Sequence, residues 1–423
     1  MRQGWEIANL GEVCEMINRG IAPKYIDDGG ICVINQKCIR NHTINTALAR
    51  RHDTAVKPIN SERYIQVGDV LINSTGTGTL GRVAQVRKEL NEPTTVDTHV
   101  TIVRPHSGRF FNDFFGYMLV RIEDEIASSG EGASGQTELA RSAIAEKFKV
   151  SFPSSISEQE LIVSIVDKAF EGIDRAIANT KNNLTNAREL LRSYLQSVFT
   201  NSDKKWVKTT LGKICQFENG DRGKNYPNRE EYVESGIPWI NTGHIQPNGT
   251  LSQDEMNFIT REKFISLRSG KIQPRDLVYC LRGATIGKTA IVDPLTVGAV
   301  ASSLVIIRPG DLLNSHFLYY FLTSSVGKRL IKLYDNGAAQ PNLGAKSVAK
   351  YTIFLPTLGE QEIIVQKLVA LDEETRRLAA IYHQKLAALT ELKQSILQKA
   401  FTGELTADTV NQTTKKAEKA IAA

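Results

Sequence analysis

The sequence predicts an α+β fold: two similar globules of mixed β-sheet and helix, separated by two long helices that pair as an antiparallel coiled coil. Three observations predict it. The second half of the 423 residues repeats the first. Each repeat opens on short β-rich runs bounded by Gly, Pro and Asn turn signals. Each closes on an apolar stripe of helical period sustained over about five heptads.

The repeat runs at an offset of 201 to 207 residues. Trp5 and Leu10-Gly11-Glu12-Val13-Cys14 answer to Trp206 and Leu211-Gly212-Lys213-Ile214-Cys215. Gly68-Asp69-Val70-Leu71 answers to Arg275-Asp276-Leu277-Val278, and Val103-Arg104-Pro105 to Ile307-Arg308-Pro309. Glu158-Gln159-Glu160 matches Glu360-Gln361-Glu362 at an offset of 202, which then holds without a gap to Phe199 and Phe401. Two long repeats mean two similar modules rather than a solenoid of small ones. The expected divisions are globule 1–153, helix 154–202, globule 203–356, helix 357–405 and a polar tail 406–423.

Within each globule, runs such as GDVLINS, HVTIVRP, LVYCL and SSLVIIRP read as strands. A helical passage follows, and a last strand (KFKVSFP; KYTIFLP) runs into a proline. Beyond the proline the period changes. In the first copy Val166, Phe170, Ile173, Ile177, Leu184, Leu191 and Val198 form the stripe; in the second, Leu368, Leu371, Leu378, Leu386, Leu389 and Ile396 do. A helix of about 40 residues is about 60 Å long. It is too long to bury its stripe on its own globule, so the twin helix is the expected partner. Ser157 is the expected N-cap of the first helix, and Gly359 a weaker one in the second.

The 41% hydrophobic and 23% charged composition is that of a soluble globular chain. No apolar run approaches the ~20 residues that cross a bilayer, and the opening MRQGWEIANLGEV lacks the apolar centre of a leader. The five cysteines are scattered with no CxxC pair, which predicts a reducing cytoplasm and neither disulfides nor a structural metal. A net charge of +6 hints at an anionic partner.

Motifs of catalysis are tested and fail. Gly76-Thr77-Gly78-Thr79-Leu80-Gly81 spells a dinucleotide fingerprint, but the next residues, RVAQV, alternate like a strand where a helix is required. Gly283 to Thr289 is one residue short of a phosphate-binding loop. No HExxH, no GxSxG and no methyltransferase Asn-Pro-Pro-Tyr motif occurs. Asp69 and Asp276 recur at the start of a strand, where turn capping accounts for them. No catalytic residues and no metal ligands are expected.

The polar loops suit DNA instead: Arg and Lys match guanine or phosphate, and Asn and Gln match adenine. In the first globule the candidates are Lys24, Tyr25, Asn35, Gln36, Lys37, Arg40, Asn73, Ser74, Thr75, Thr77, Arg82 and Gln136. In the second they are Arg222, Lys224, Asn225, Tyr226, Asn241, His244, Arg282, Thr285, Lys288, Gln340 and Asn342. Their weight comes from recurrence at equivalent points of both modules.

With the W…LG opening, the GD(V/L)L segment, the (L/I)G(R/K) turn, the P…EQ junction and the closing LKQSILQKAFTGEL (Leu392–Leu405), the chain resembles the specificity subunit of type I restriction–modification systems. The first copy, LLRSYLQSVFTNS, departs by lacking the Gly-Glu-Leu end. The resemblance implies two target-recognition domains, each reading one half of a bipartite, asymmetric double-stranded DNA site, with the helices setting the spacer. It also implies two modification subunits that methylate adenine from S-adenosylmethionine, and restriction subunits that use ATP and Mg2+; this chain itself would hold no cofactor. Two other readings remain open: a coiled-coil assembly or tethering protein whose globules bind other proteins, and an enzyme that uses Asp69 and Asp276.

Overall fold

The structure is a computed structural model that describes residues 4–130, 138–200, 205–334 and 342–406. It divides into two compact units, Met1–Asn179 with Lys385–Ala423, and Thr180–Gln384.

In the first unit a four-stranded antiparallel sheet has the order Cys14–Arg19, Val100–Pro105, Val70–Asn73, Val83–Gln85. Successive side chains of a strand point to opposite faces, and here both faces are covered. Val70, Ile72 and Val103 turn toward a helix-side core with Phe114, Phe115, Met118 and Leu119. Leu71, Ala84 and Ile102 turn toward Cys32, Ile34 and Val96 of a second sheet. That explains why GDVLINS carries no polar alternation: a strand covered on both faces reads as a continuous apolar run. The second sheet has the order Thr94–Val96, Ile31–Ile34, Arg50–His52, Tyr25–Ile26, its first pair parallel. A two-stranded ribbon, Trp5–Asn9 against Lys149–Pro153 with Trp5 opposite Pro153, ties the opening of the repeat to its closing proline.

The second unit repeats the plan. Its main sheet has the order Cys215–Asn219, Leu304–Pro309, Leu277–Cys280, Thr289–Ile291. Leu277, Tyr279, Val305 and Ile307 face Phe317 and Phe321, while Val278, Cys280 and Ile306 face Ile240 and Val300. The smaller sheet pairs Trp239 with Ala299 in parallel, as Ile31–Ile34 pairs with Thr94–Val96 in the first unit. The ribbon is Val207–Thr210 against Thr352–Leu355.

Two 45-residue helices, Ile156–Thr200 and Leu358–Thr402, contribute to both units. Every residue of the two predicted stripes is buried or half-buried. Their surroundings differ from the expectation that only the twin helix could cover them. In the first unit Ile162, Val163 and Val166 of one helix and Leu397, Ala400 and Phe401 of the other join the globule's own core, with the Phe114 and Phe401 rings 4.9 Å apart. In the second unit Phe199 and Leu368 do the same, Phe199 lying 5.2 Å from Phe317. Between the helices, Lys393 reaches Asp174 at 2.5 Å and lies over the Phe170 ring in the first unit, and Arg188 meets His383 at 3.5 Å in the second.

The helix caps lie two residues earlier than expected. Ser155, not Ser157, caps the first helix, its Oγ accepting from the Glu158 N–H at 3.4 Å. In the second copy Thr357, not Gly359, forms a reciprocal cap: the Glu360 carboxylate accepts from the Thr357 N–H at 2.9 Å while Thr357 Oγ1 accepts from the Glu360 N–H at 3.4 Å.

Candidate nucleic-acid interface

The segments that resembled nucleotide loops are hairpin turns. Residues 76–81 join Val70–Asn73 to Val83–Gln85, and residues 283–287 join Leu277–Cys280 to Thr289–Ile291. Gly81 and Gly287 close these turns at φ +85° and +84°, where a Cβ would come within 2.5 Å of Ala127 and 2.4 Å of Ile331. The recurring acids are also accounted for. Asp69 receives a two-pronged hydrogen bond from Arg104, both contacts at 2.7 Å, and Asp276 the same from Arg308 at 2.8 Å. Both carboxylates also cap a tight turn, accepting from Gln66 and Gln273 N–H at 2.8 Å. Each buried acid thus accepts three hydrogen bonds that tie a strand start to its neighbour, which accounts for its recurrence as a structural residue. Among the described residues no cluster of three or more His, Cys, Asp or Glu could hold a metal ion, and all five cysteines are buried and unpaired.

Of the polar loop residues, one set faces inward and shapes the loops. Asn35 is buried, accepting from Lys37 N–H and donating to the Leu48 carbonyl. Its counterpart Asn241 accepts from Gly243 N–H at 2.8 Å. Asn73 and Ser74 are fully buried; Asn73 donates to the Gln36 carbonyl and Ser74 shares a hydrogen bond with Thr101. His244 is buried, with Nδ1 accepting from Asn241 N–H and Nε2 donating to the Glu255 carbonyl; burial lowers its pKa. For Asn35, Asn73, Ser74 and His244 the expectation of a surface contact is therefore corrected: the strand ends and the turn after them are covered on both sides. Gln36 accepts from Thr79, Thr285 lies 3.3 Å from Cys280 Sγ, Asn225 donates to the Ser266 carbonyl, and the Tyr226 ring stands edge-on to Trp239.

A second set faces outward. Lys24, Lys37, Arg40, Thr77, Lys224 and Lys288 are exposed. Tyr25 is exposed beneath the Arg50 guanidinium, which lies 3.3 Å from the ring centroid. Arg82 donates to the Gly78 carbonyl, and Thr75 hydrogen-bonds His99 at 2.7 Å. Gln136 and Gln340 lie outside the described residues.

Three predicted residues from separate loops of the second globule, Arg222, Arg282 and Asn342, converge on one groove of about 610 Å³. A backbone bridge joins Arg282 to Asn342. Arg268, in a stretch with no motif, completes the groove; nothing in the sequence ties it to this corner. Asp221, 3% exposed, accepts from Arg268 N–H at 2.8 Å and from its guanidinium at 2.9 Å. The Arg268 side-chain and backbone hydrogen bonds hold the Asp221 carboxyl down at about 2. With Asp221 against Arg222, Arg268 and Arg282, the groove keeps a positive balance.

At the equivalent corner of the first globule, Thr75 bridges Glu138 as Arg282 bridges Asn342. There Arg19 pairs with Glu138 and donates to the Leu139 carbonyl at 2.8 Å. One backbone frame thus carries three guanidiniums against a single carboxylate in one globule and a one-to-one ion pair in the other.

A pair of residues was also missed by sequence reasoning. Gln159 and Gln361, the middle residues of the two Glu-Gln-Glu runs, are fully buried. Each accepts a backbone N–H and donates to two carbonyls at the junction of globule and helix. A glutamine between two glutamates at a helix start reads as a solvated residue, and only the packed structure places it inside.

The family model described as "Type I restriction modification DNA specificity domain" matches residues 2–186 and again residues 203–387. The chain is 28% identical over 207 residues to the EcoKI specificity subunit of Escherichia coli K12, an alignment covering 48% of this chain and 43% of that one. It is 24% identical over 280 residues to the EcoBI specificity subunit of Escherichia coli, covering 60% and 57%. The alignments thus span about half the length of these curated relatives. The MjaVIII specificity subunit of Methanocaldococcus jannaschii aligns over 97% of this chain and 95% of its own, at 18% identity. Among solved structures, a chain from a study of assembly and conformational transition of the type I restriction–modification system shares the fold with a TM-score of 0.74 at 19% identity, covering 95% and 98%. The HsdS subunit of Thermoanaerobacter tengcongensis shares it with a TM-score of 0.57 at 20% identity, covering 95% and 97%. With the same family domain matched twice, on the two copies of its own repeat, this chain belongs to the type I restriction–modification DNA specificity family.

Proposed function

We propose that this chain is the DNA-recognition subunit of a type I restriction–modification complex. Each globule reads one half of a bipartite, asymmetric site in double-stranded DNA. The two long helices pair as an antiparallel coiled coil, fix the spacer between the halves, and with the adjoining globule surfaces dock two modification subunits and the restriction subunits. Methyl transfer from S-adenosylmethionine and ATP- and Mg2+-dependent cleavage belong to those partners, and this chain is non-catalytic and acts in the cytoplasm.

The observation that carries this reading is the pair of equivalent corners built on one frame with different side chains. Two globules that read the same sequence would need no such difference; two that read the halves of an asymmetric site require it. Arg222, Arg268, Arg282 and Asn342 offer the second globule donors suited to phosphate, guanine and adenine, and Tyr25, Lys37, Arg40, Thr75 and Thr77 supply the first. Globules held on a rod of fixed length meet the duplex at a fixed separation, so the spacer becomes a matter of geometry. The engagement of Asp69 and Asp276 in structural ion pairs accords with a chain that performs no chemistry.

The test is single-molecule methylome sequencing of the host with and without this gene. One bipartite motif methylated at adenine should vanish on deletion and return on complementation. An unchanged methylome, with the partner genes intact and expressed, would overturn the reading.

A further inference from the structure

We infer that Gln159 and Gln361 are positioning residues that set the register of each long helix against its globule, and through it the spacer that the complex accepts. The inference rests on the proposed division between reading globules and spacing helices, and goes beyond it by naming the two side chains that join them.

The geometry is the same in both units. Phe111 N–H donates to Gln159 Oε1 at 2.8 Å, and Asn314 N–H donates to Gln361 Oε1 at 2.8 Å. Gln159 Nε2 donates to the Pro153 carbonyl at 2.9 Å and to the Arg109 carbonyl at 3.4 Å. Gln361 Nε2 donates to the Pro356 carbonyl and to the Leu312 carbonyl, both at 2.9 Å. Each amide therefore ties three pieces together: the proline that ends the last strand, the loop before the first helix of the core, and the first turn of the long helix.

The chemistry is specific to a primary amide, which both accepts and donates twice. A glutamate of the same length cannot donate when ionised, and an apolar residue of the same length leaves a buried N–H and two carbonyls without partners. Apolar contacts alone tolerate small rotations and slips of a helix on its support, because they are non-directional. A buried, directional polar contact is the device that selects one register among several of similar apolar energy. Around the amide lie apolar Ile162 and Val163 in one unit and Ile364 and Val365 in the other. Part-buried or exposed polar contacts lie there too: Trp5 Nε1 donates to Glu158 Oε1 at 3.3 Å and Tyr117 to Asp167 in the first unit, and Thr357 Oγ1 donates to Glu360 in the second. Of these contacts the glutamine amide is the fully buried one in both units, where a lost partner costs most.

The experiment uses the assembled methyltransferase complex, expressed in a host free of competing systems, with Gln361→Met and Gln159→Met as separate variants. Methylome sequencing reads the two half-sites and the spacer. Wild type is expected to accept one spacer length. Each variant is expected to keep both half-site sequences and to methylate sites with a spacer one base pair longer or shorter, losing about tenfold in spacer discrimination for each hydrogen bond removed. Gln361→Glu keeps the length and the acceptor but loses the donors, and is expected to relax the spacer as well; it serves where the methionine variants do not assemble.

A complex of lowered thermal stability with the spacer unchanged would overturn the inference and leave the glutamines a purely structural role. Altered half-site sequences would overturn it too. Failure of the wider reading looks different: the wild-type motif itself would not depend on this gene.

Discussion

At the scale of single residues, polar side chains in this chain divide by what surrounds them rather than by their type. Asp276 shows the consequence. It lies fully buried against Arg308, whose side chain is 22% exposed. Removing one member of such a pair strands the other charge. Asp276→Ala is expected to lower the stability of the chain by about 3 kcal/mol, read from urea unfolding, and on the proposed function it removes no activity from the isolated chain. A methyl-transfer or hydrolytic activity that disappears with stability intact would restore the enzyme reading. His244 gives a pH dependence with a definite sign. Burial lowers its pKa in the folded globule, below the ordinary value of about 6.5 that the unfolded chain shows. The unfolded state therefore takes up the proton first, and stability is held above about pH 6.5 and lost as pH falls below it. Melting temperatures between pH 7.5 and 5 should fall less steeply for His244→Gln than for wild type. Equal slopes would show that the imidazole does not carry the effect. This is also the scale at which the sequence was least legible. Asn73 and Ser74 end the strand run GDVLINS and open a polar run that reads as a loop, and the structure buries both of them at that strand end. Arg268 carries no motif, and its role depends on Asp221, 47 residues away.

At the scale of elements, periodicity and punctuation were readable because each reflects a local cause. The strands GDVLINS and HVTIVRP, the closing strand before the proline and both 45-residue helices stand where their patterns place them. The caps were misplaced because Ser-Ser-Ile-Ser offers more than one hydroxyl, and hydrogen bonding at the turn decides between them. The hairpin that imitates a dinucleotide fingerprint illustrates how identical residues serve different ends. Gly78 has φ +74° and open space around its Cβ position, whereas Gly81 has φ +85° with Ala127 in the way. Gly78→Ala is therefore expected to cost about 1 kcal/mol from backbone strain alone. Gly81→Ala should cost distinctly more, about 3 kcal/mol with the displaced helix added. Equal costs in denaturant unfolding would contradict this account of the turn, in which only one glycine is fixed by a neighbouring element.

At the scale of the whole molecule, the duplication was plain from the sequence, because matched motifs in one order leave few alternatives. The distribution of each long helix over both units was not. Phe401 meets Phe114 across 287 positions of sequence, and Phe199 meets Phe317 in the other unit; no local pattern announces such a contact. Each unit thus closes its core with the last turns of a helix that begins in the other. On the proposed function, reading and spacing are separable properties, the first carried by loops on the globules and the second by helix length. Inserting four residues into one long helix, within 176–186 and away from both junctions, adds about 6 Å, close to the rise of two base pairs at 3.4 Å each. Methylome sequencing of a host carrying that variant tests the central claim most directly. The predicted result is a motif with both half-sites unchanged and a longer spacer; a new half-site sequence, or an unchanged spacer in an active complex, would contradict it.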